Sequence, residues 1–370
     1  MALSNPWITG PPTHDNGENH FYNLPLALRG VETKIVYVGV VHPISKKRHM
    51  FTLLGGGKGQ EGVTMGQVAA GFMMPPFNQI LSEGPYQIGA EPERVDWKSR
   101  PVQFLAQINP DIVPKGHDTI CDTPFRYRMI EERWWGSWSA EEDGYLGIWT
   151  RTHGWRWLRV RLAEAPNDAF ELDPVAFGNN FMQWTMNIIA TQPFWAKPTI
   201  QKEWQNDQDT STLWNLIEDL LNEFVPGLDV GEGTIVIPNR GDIAVYPKFL
   251  VSAPGKVWIQ EGDRWVELPL LTPQDGWVVV NTDPNKMPLE GQFDPVDPLF
   301  LKVLRNSQII DLLLGDIINA TLPVWQRMDD RFTEASKVPP RTQARIKVRH
   351  SNAKGRVIAL MPQRYMKGYA

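Results

Sequence analysis

Two acidic groups, Glu131-Glu132 and Glu141-Glu142-Asp143, flank Trp134, Trp135 and Trp138. Carboxylates beside tryptophans equip a glycoside-cleaving cleft, where one protonates the leaving oxygen and the other attacks or activates water. That chemistry needs a set separation in space, which sequence proximity does not provide. Adjacent carboxylates on a strand would point to opposite faces. The expectation is therefore that these tryptophans pack in a core or a subunit interface, with contact to carbohydrate as the rival. Gly55-Gly56-Gly57-Lys58-Gly59 has the look of a phosphate loop but lacks the four-residue gap before Gly-Lys-Ser/Thr, so it reads as a surface loop. The histidines, among them His14, His20, His42, His49 and His117, form no His-Glu-x-x-His motif, and no Gly-x-Ser-x-Gly elbow occurs. Cys121 is the sole cysteine and reads as a small apolar residue. No catalytic residue, metal or cofactor is expected.

One further group could act on a partner. From Ser336 to Ala370 the chain carries no acidic residue, while Lys337, Arg341, Arg345, Lys347, Arg349, Lys354, Arg356, Arg364 and Lys367 lie there. Nucleic acid is one partner for such a stretch. No aromatics are interleaved among the basic residues from Lys337 to Arg356 for base stacking, and a basic strand meeting acidic neighbours in an assembly is the favoured reading. Arg345, Lys347, Arg349 and Arg356 are the candidate interface residues.

The elements that must position these groups read as strands. Segments 35–41, 102–108, 145–152, 155–162 and 181–190 are rich in β-branched and aromatic residues. In 155–162 alternation sets Trp155 and Trp157 toward a core face and Arg156, Arg159 and Arg161 toward solvent or a partner. A second block, 233–238, 243–251, 256–260, 264–270 and 276–280, is punctuated by turns about every ten residues, the spacing of a sandwich. Segments 345–349 and 356–361 flank Asn352-Ala353-Lys354-Gly355 and read as a basic hairpin. Helices are expected at 213–223, after the caps Asp209 to Thr212, and from Asp297-Pro298 toward residue 318. The second is apolar enough to need another domain or subunit as cover.

Bulk composition agrees. The 370 residues are 42% hydrophobic and 21% charged, with a net charge of −5, which sets up no general attraction for nucleic acid or acidic membranes. The 31 prolines and 30 glycines are spread between short apolar runs, as in an all-β chain. A single cysteine excludes an internal disulfide and fits assembly in a reducing cytosol. No apolar window is long enough for a membrane span, and residues 1–10 lack the basic and apolar regions of a signal peptide.

Four short patterns then occur in a familiar order. Gly154-Trp155-Arg156-Trp157-Leu158 has the form Gly-x-Arg-x-Leu. Pro193-Phe194-Trp195 follows Gln192, where Asp is usual. Asn239-Arg240-Gly241 leads into Tyr246-Pro247. Gly276-Trp277-Val278-Val279-Val280-Asn281-Thr282 matches a Gly-to-Thr strand, with Asn281 in place of Asp. Together, over about residues 150–285, they resemble the distal tail proteins of siphophages. Residues 1–130 match loosely, and the resemblance does not reach 300–370. Asn239, Gly241, Tyr246, Pro247, Gly276, Thr282, Pro193 and Trp195 have fold-setting roles in that pattern, with Asn and Gly supplying tight turns and Pro247 marking a strand start or edge.

The resemblance implies a mainly β protein of two β-sandwich domains, a belt-type ring domain and a galectin-like domain, with a linking helix and a C-terminal helix plus hairpin. The expected divisions are an arm at 1–30, a ring-forming sandwich at 31–200, a linking segment at 201–230, a galectin-like sandwich at 231–296 and an extension at 297–370. It implies a homo-oligomer, a hexameric ring, in the virion tail tip, assembled in the host cytoplasm without membrane insertion. Its partners would be the tail tube protein, the tail-tip hub or other minor tail proteins, and a host-surface glycan for the outward sandwich. Two rivals stand beside this structural role: a carbohydrate-binding tip component, and a cell-wall hydrolase using Glu131 or Glu141.

Overall fold

A computed structural model of the protein describes residues 33–84, 88–113, 123–166, 173–176, 180–207, 230–291, 328 and 330–369. The arm at 1–30, Cys121 and both expected helices lie outside them. The described chain is mainly β and antiparallel, in two compact units. One comprises Met1–Trp195 with Met366–Ala370, the other Ala196–Tyr365.

The first unit runs β1 (Lys34–Val41), β2 (Arg48–Leu54), β3 (Val63–Ala70), β4 (Phe77–Ser82), β5 (Glu91–Trp97), β6 (Arg100–Ile108), helix α1 (Thr123–Trp135), β7 (Gly144–Thr150), β8 (Gly154–Leu162) and β9 (Met182–Ala190). One layer has the order β8-β7-β1-β2 and the other β3-β6-β9, with β8 and β9 joined at Arg161↔Ile189. Alternation aims Val102, Phe104, Ala106 and Ile108 inward against Trp184, Met186 and Ile188. Tyr37 stacks on Trp138 at 3.8 Å, and Trp134 meets Phe51 edge to face at 5.0 Å. The Tyr37 hydroxyl donates to the Ser137 carbonyl at 2.7 Å, so the ring is held by a polar tip as well as by area.

Strand β8 departs from the sequence reading. On β8 the buried face carries Arg156, Leu158 and Val160, while Trp155 and Trp157 stack on each other on the other face, only partly covered. Arg156 tolerates burial because its Nη1 donates to the Lys367 carbonyl at 2.8 Å. On β6 the inward alternation extends to Arg100, which is fully buried. Its Nε donates to the Pro193 carbonyl (2.6 Å), Nη1 to Gly71 (2.7 Å) and Met73 (3.0 Å), and Nη2 to Met366 (2.6 Å). The guanidinium also lies 5.8 Å from the Trp195 ring centroid. Burial lowers its pKa to about 10, which still leaves it charged at neutral pH.

The second unit takes β10 (Trp195–Gln205) from Ala196 on, then β11 (Gly231–Asn239), β12 (Lys248–Ser252), β13 (Val257–Glu261), β14 (Arg264–Glu267), β15 (Trp277–Asn281), β16 (Leu289–Gly291), β17 (Thr342–His350) and β18 (Arg356–Tyr365). Its sheets have the orders β11-β17-β13-β14 and β16-β15-β12-β18-β10. Ile235, Ile259, Ile346 and Val348 from one face Phe249, Val278, Val357 and Met361 from the other in one core.

The expected basic hairpin is therefore corrected. β17 and β18 form, but they lie in different sheets, β17 paired with β11 over Gly231↔His350 to Asn239↔Thr342, and β18 with β12. Both strands belong to the second unit's core and not to an extension starting at residue 297. Alternating apolar residues mark a strand with one buried face, but do not say which sheet it joins. The connection crosses between the sheets around buried His350. Its Nδ1 accepts from the Asn352 N–H (2.9 Å), so Nε2 carries the proton and faces the Ser252 carbonyl (2.9 Å). Asn206 donates to the carbonyls of His350 and Asn352, and a Cβ on Gly355 would lie 2.2 Å from the imidazole.

Two outcomes follow for solution measurements. Arg100→Met leaves four carbonyls, that of Pro193 buried and the others partly so, without their donor and should lower the unfolding free energy by about 3 kcal/mol. Arg100→Lys should recover little, because one ammonium cannot serve a fan of four acceptors. Urea midpoints followed by Trp fluorescence check this; a loss within about 1 kcal/mol for Arg100→Met would show that the carbonyls find other donors. For His350, burial holds the pKa below its usual value. The unfolded chain then takes up a proton at a pH where the folded chain does not, so stability should fall as pH drops through about 6.5 and below. His350→Gln should flatten the slope of urea midpoint against pH between 7.5 and 5, and an unchanged slope would exclude the site.

Candidate partner interface

Most of the residues singled out as fold-setting are buried, and Tyr246 is half-buried. Asn239 ends β11, and its Nδ2 donates to the carbonyls of Ile243, Val338 and Pro339 at 2.9 to 3.1 Å, while Oδ1 accepts from the Gly241 N–H at 3.0 Å. A Cβ on Gly241 would lie 2.5 Å from the Arg364 carbonyl oxygen, which explains the glycine. β12 starts directly after Pro247, whose carbonyl accepts from the Thr282 hydroxyl at 2.7 Å. Tyr246 donates its hydroxyl to Glu334. Gly276, at φ 60° and ψ −117°, turns the chain into β15 in a conformation that L side chains rarely adopt. In the first unit the Pro193 carbonyl is an Arg100 acceptor, and Trp195 is fully buried against Phe72.

The candidate interface residues divide. Arg345, Lys347 and Arg349 alternate along β17 opposite buried Ile346 and Val348, so they share the outward face of the four-stranded sheet. Arg356 starts β18 in the other sheet and pairs with Glu203 at 3.5 Å. On the shared face Glu232 of β11 takes both Lys347 (3.4 Å) and Arg349 (2.8 Å), and the Arg349 hydrogen bond leads in holding its carboxyl below the usual range. The acidic partner expected from a neighbouring subunit is thus supplied in part within the unit. Two cations to one carboxylate, with Arg345 exposed beside them, still leave the face basic.

Trp258 and Trp265 also point outward here, and cations lie over both rings. Arg349 sits 4.1 Å above the Trp265 centroid and Lys256 5.6 Å from that of Trp258. A sugar stacking on either ring would have to displace them. No described tryptophan ranks as an exposed residue.

A cleft of about 270 Å³ opens between β13, β17 and the 332–339 segment, with Phe249, Ile259 and Ile346 on its floor and Gln343 and Arg345 at its rim. Glu261 lies in it but is engaged. It accepts from the Ser336 hydroxyl, the Thr333 N–H and Arg264. Burial pushes its carboxyl up, and these hydrogen bonds outweigh that and leave it below the usual range. It stays ionised, which does not suit a proton donor, and both its oxygens are engaged in fixing a loop.

The carboxylates of the hydrolase reading are also engaged or isolated. Glu131 and Glu132 lie on α1, a helix the sequence reading missed. Glu131 accepts from Tyr127 (3.2 Å) and Arg128 (2.8 Å), while Glu141 and Glu142 are exposed in the turn after Ser139. Trp134 and Trp138 are core residues. In the glycine loop the N–H groups of Lys58, Gly59 and Gln60 bond to carbonyls of Gly55, Thr52 and Gly57, and so are committed to the turn. Among the described residues no group of three or more His, Cys, Asp or Glu is placed to hold a metal, and no helix is long and apolar enough to cross a membrane.

No protein-family model matches the chain, and no curated protein does. Among solved structures, the crystal structure of the Dit protein of phage SPP1, described as a paradigm of the hub adsorption apparatus in phages infecting Gram-positive hosts, aligns over 90% of this chain and 99% of its own. The identity is 10% and the TM-score 0.43. A chain of the phage P2 baseplate, in its activated conformation with calcium, aligns over 90% of this chain and 98% of its own at 8% identity and a TM-score of 0.45. No residue role follows from alignments at this level.

Proposed function

We propose that this chain is a structural, non-catalytic subunit of the tail tip of a long-tailed bacteriophage, where copies close into a ring joining the tail tube to the attachment apparatus. The observation that carries the reading is Asn239. Its side chain serves four backbone groups of two segments far apart in sequence, 241–243 and 338–339. The Asn-x-Gly…Tyr-Pro pattern that resembles distal tail proteins therefore coincides with a knot of the second sandwich. Gly276 and Thr282, from the neighbouring pattern, do the same for β15 and β12. The residues shared with the pattern build the fold, as expected of a scaffold. The first unit would form the ring. The basic face of β17 would meet an acidic surface of a tube or tip protein. Carbohydrate binding by the second unit is the weaker reading, given the cations over Trp258 and Trp265.

The test is electron microscopy of purified assemblies and of phage tails carrying a tagged chain. Sixfold ring averages at the tube–tip junction are the expected result. One copy per tail by native mass, or label confined to the capsid, overturns the proposal.

A further inference from the structure

Strands β4 and β5 form a two-stranded ribbon that pairs with no other described strand. Its base is held by Trp97, which packs on Phe77 and Phe194 at 5.4 Å each. Beyond that base it is bare. Phe77, Leu81 and Val95 are 45%, 49% and 40% exposed, and Ile88 near the tip is fully exposed. A two-stranded ribbon of this kind is marginal in water without a covering surface. Its charge is also one-sided. Glu83, Glu91 and Glu93 are exposed and make no ion pair among the described residues, while Arg94 is spent on Asp96 at 3.2 Å. The described ribbon therefore carries four acidic side chains against one basic, a net −3.

The complementary surface is on the same unit. The turn from β1 into β2, at the end of the β8-β7-β1-β2 layer, carries Lys46, Lys47 and Arg48, a net +3, with no acidic partner among the described residues. Beside them Val41, Ile44 and Met50 are 45%, 72% and 52% exposed. Both patches expose apolar area, and their net charges of three are of opposite sign. No ion pair joins the two among the described residues.

We infer that the β4–β5 ribbon of one copy docks on the β1–β2 turn of the next copy. The two patches differ, so the contact is head to tail, and repetition closes a ring or extends a filament. The inference rests on the ring reading above and assigns its contact surface.

The test uses two full-length variants. Glu91→Lys with Glu93→Lys makes the ribbon basic; Lys46→Glu with Lys47→Glu makes the turn acidic. All four positions are exposed, and circular dichroism verifies folding. Sedimentation at low and moderate salt should show each variant associating with itself at least about tenfold more weakly than wild type, because like charges now face each other. Mixing the two variants should restore assembly in alternating order. The basic ribbon of the first then meets the acidic turn of the second, and the acidic ribbon of the second meets the basic turn of the first. Rings that persist in either variant alone, or no recovery on mixing, overturn this contact and leave the ring reading standing. A wild-type chain that stays monomeric both alone and in tails overturns both.

Discussion

Arg100 is the constraint on which the first unit depends. A buried guanidinium without a carboxylate partner is tolerable only if its N–H groups are satisfied, and here four carbonyls do so. Their origin matters more than their number. Pro193 lies two residues before the chain leaves the first unit, and Met366 is the residue at which it returns. Exit and return are bound to one planar group, whose fork geometry a lysine could not reproduce. Beyond that point the Gly368 N–H bonds to Phe72, and a Cβ on Gly368 would lie 2.7 Å from Ile148 and 2.9 Å from Trp195. The last residues therefore complete a core begun by the first strands. The first unit reaches its final packing only after all of the second unit has been made.

The second unit solves the corresponding problem differently. Its closing strands cross from one sheet to the other at His350, whose ring fills the space that Gly255 and Gly355 leave open. The imidazole needs both nitrogens in defined states, one accepting and one donating, which ties the crossing to the neutral form. The basic side chains beside it are less demanding. Lys347 and Arg349 lie on a solvated surface and share one carboxylate, so their pairing sets orientation more than stability. A face that is satisfied in outline yet still short of negative charge can bind a partner without depending on one to fold.

Much of this architecture was legible. Strands with one buried face, such as β6, β9, β11 and β13, announce themselves by alternation, and the turns between them by glycine and proline. Asn239, Gly241 and Gly276 stand in the pattern; Asn239 makes four side-chain hydrogen bonds and Gly276 has a positive φ. What failed did so for physical reasons. β8 was read with its faces exchanged because arginine is normally solvent-facing, whereas Arg156 had a carbonyl of distant Lys367 waiting. Helix α1 was missed because its buried residues, Tyr127, Ile130 and Trp134, lie in a run dense with charge and aromatics, where no apolar stripe stands out. Strands β4 and β5 were missed because a ribbon exposed on both faces has no burial pattern to reveal it. The arch at His350 was read as a hairpin because local turn signals do not encode sheet membership.

The tryptophans show the same limit from the side of function. Trp beside carboxylates invites a sugar-binding reading, since indole faces stack on pyranose rings. Burial decides otherwise for Trp134, Trp138, Trp184 and Trp195, whose indole N–H groups have no acceptor among the described residues. Leaving such a donor unsatisfied costs about 1 to 3 kcal/mol, comparable with what burying a large ring returns. These positions are filled for the area and shape that a large aromatic ring supplies. A chain that buries its tryptophans in this way gives up polar satisfaction for packing.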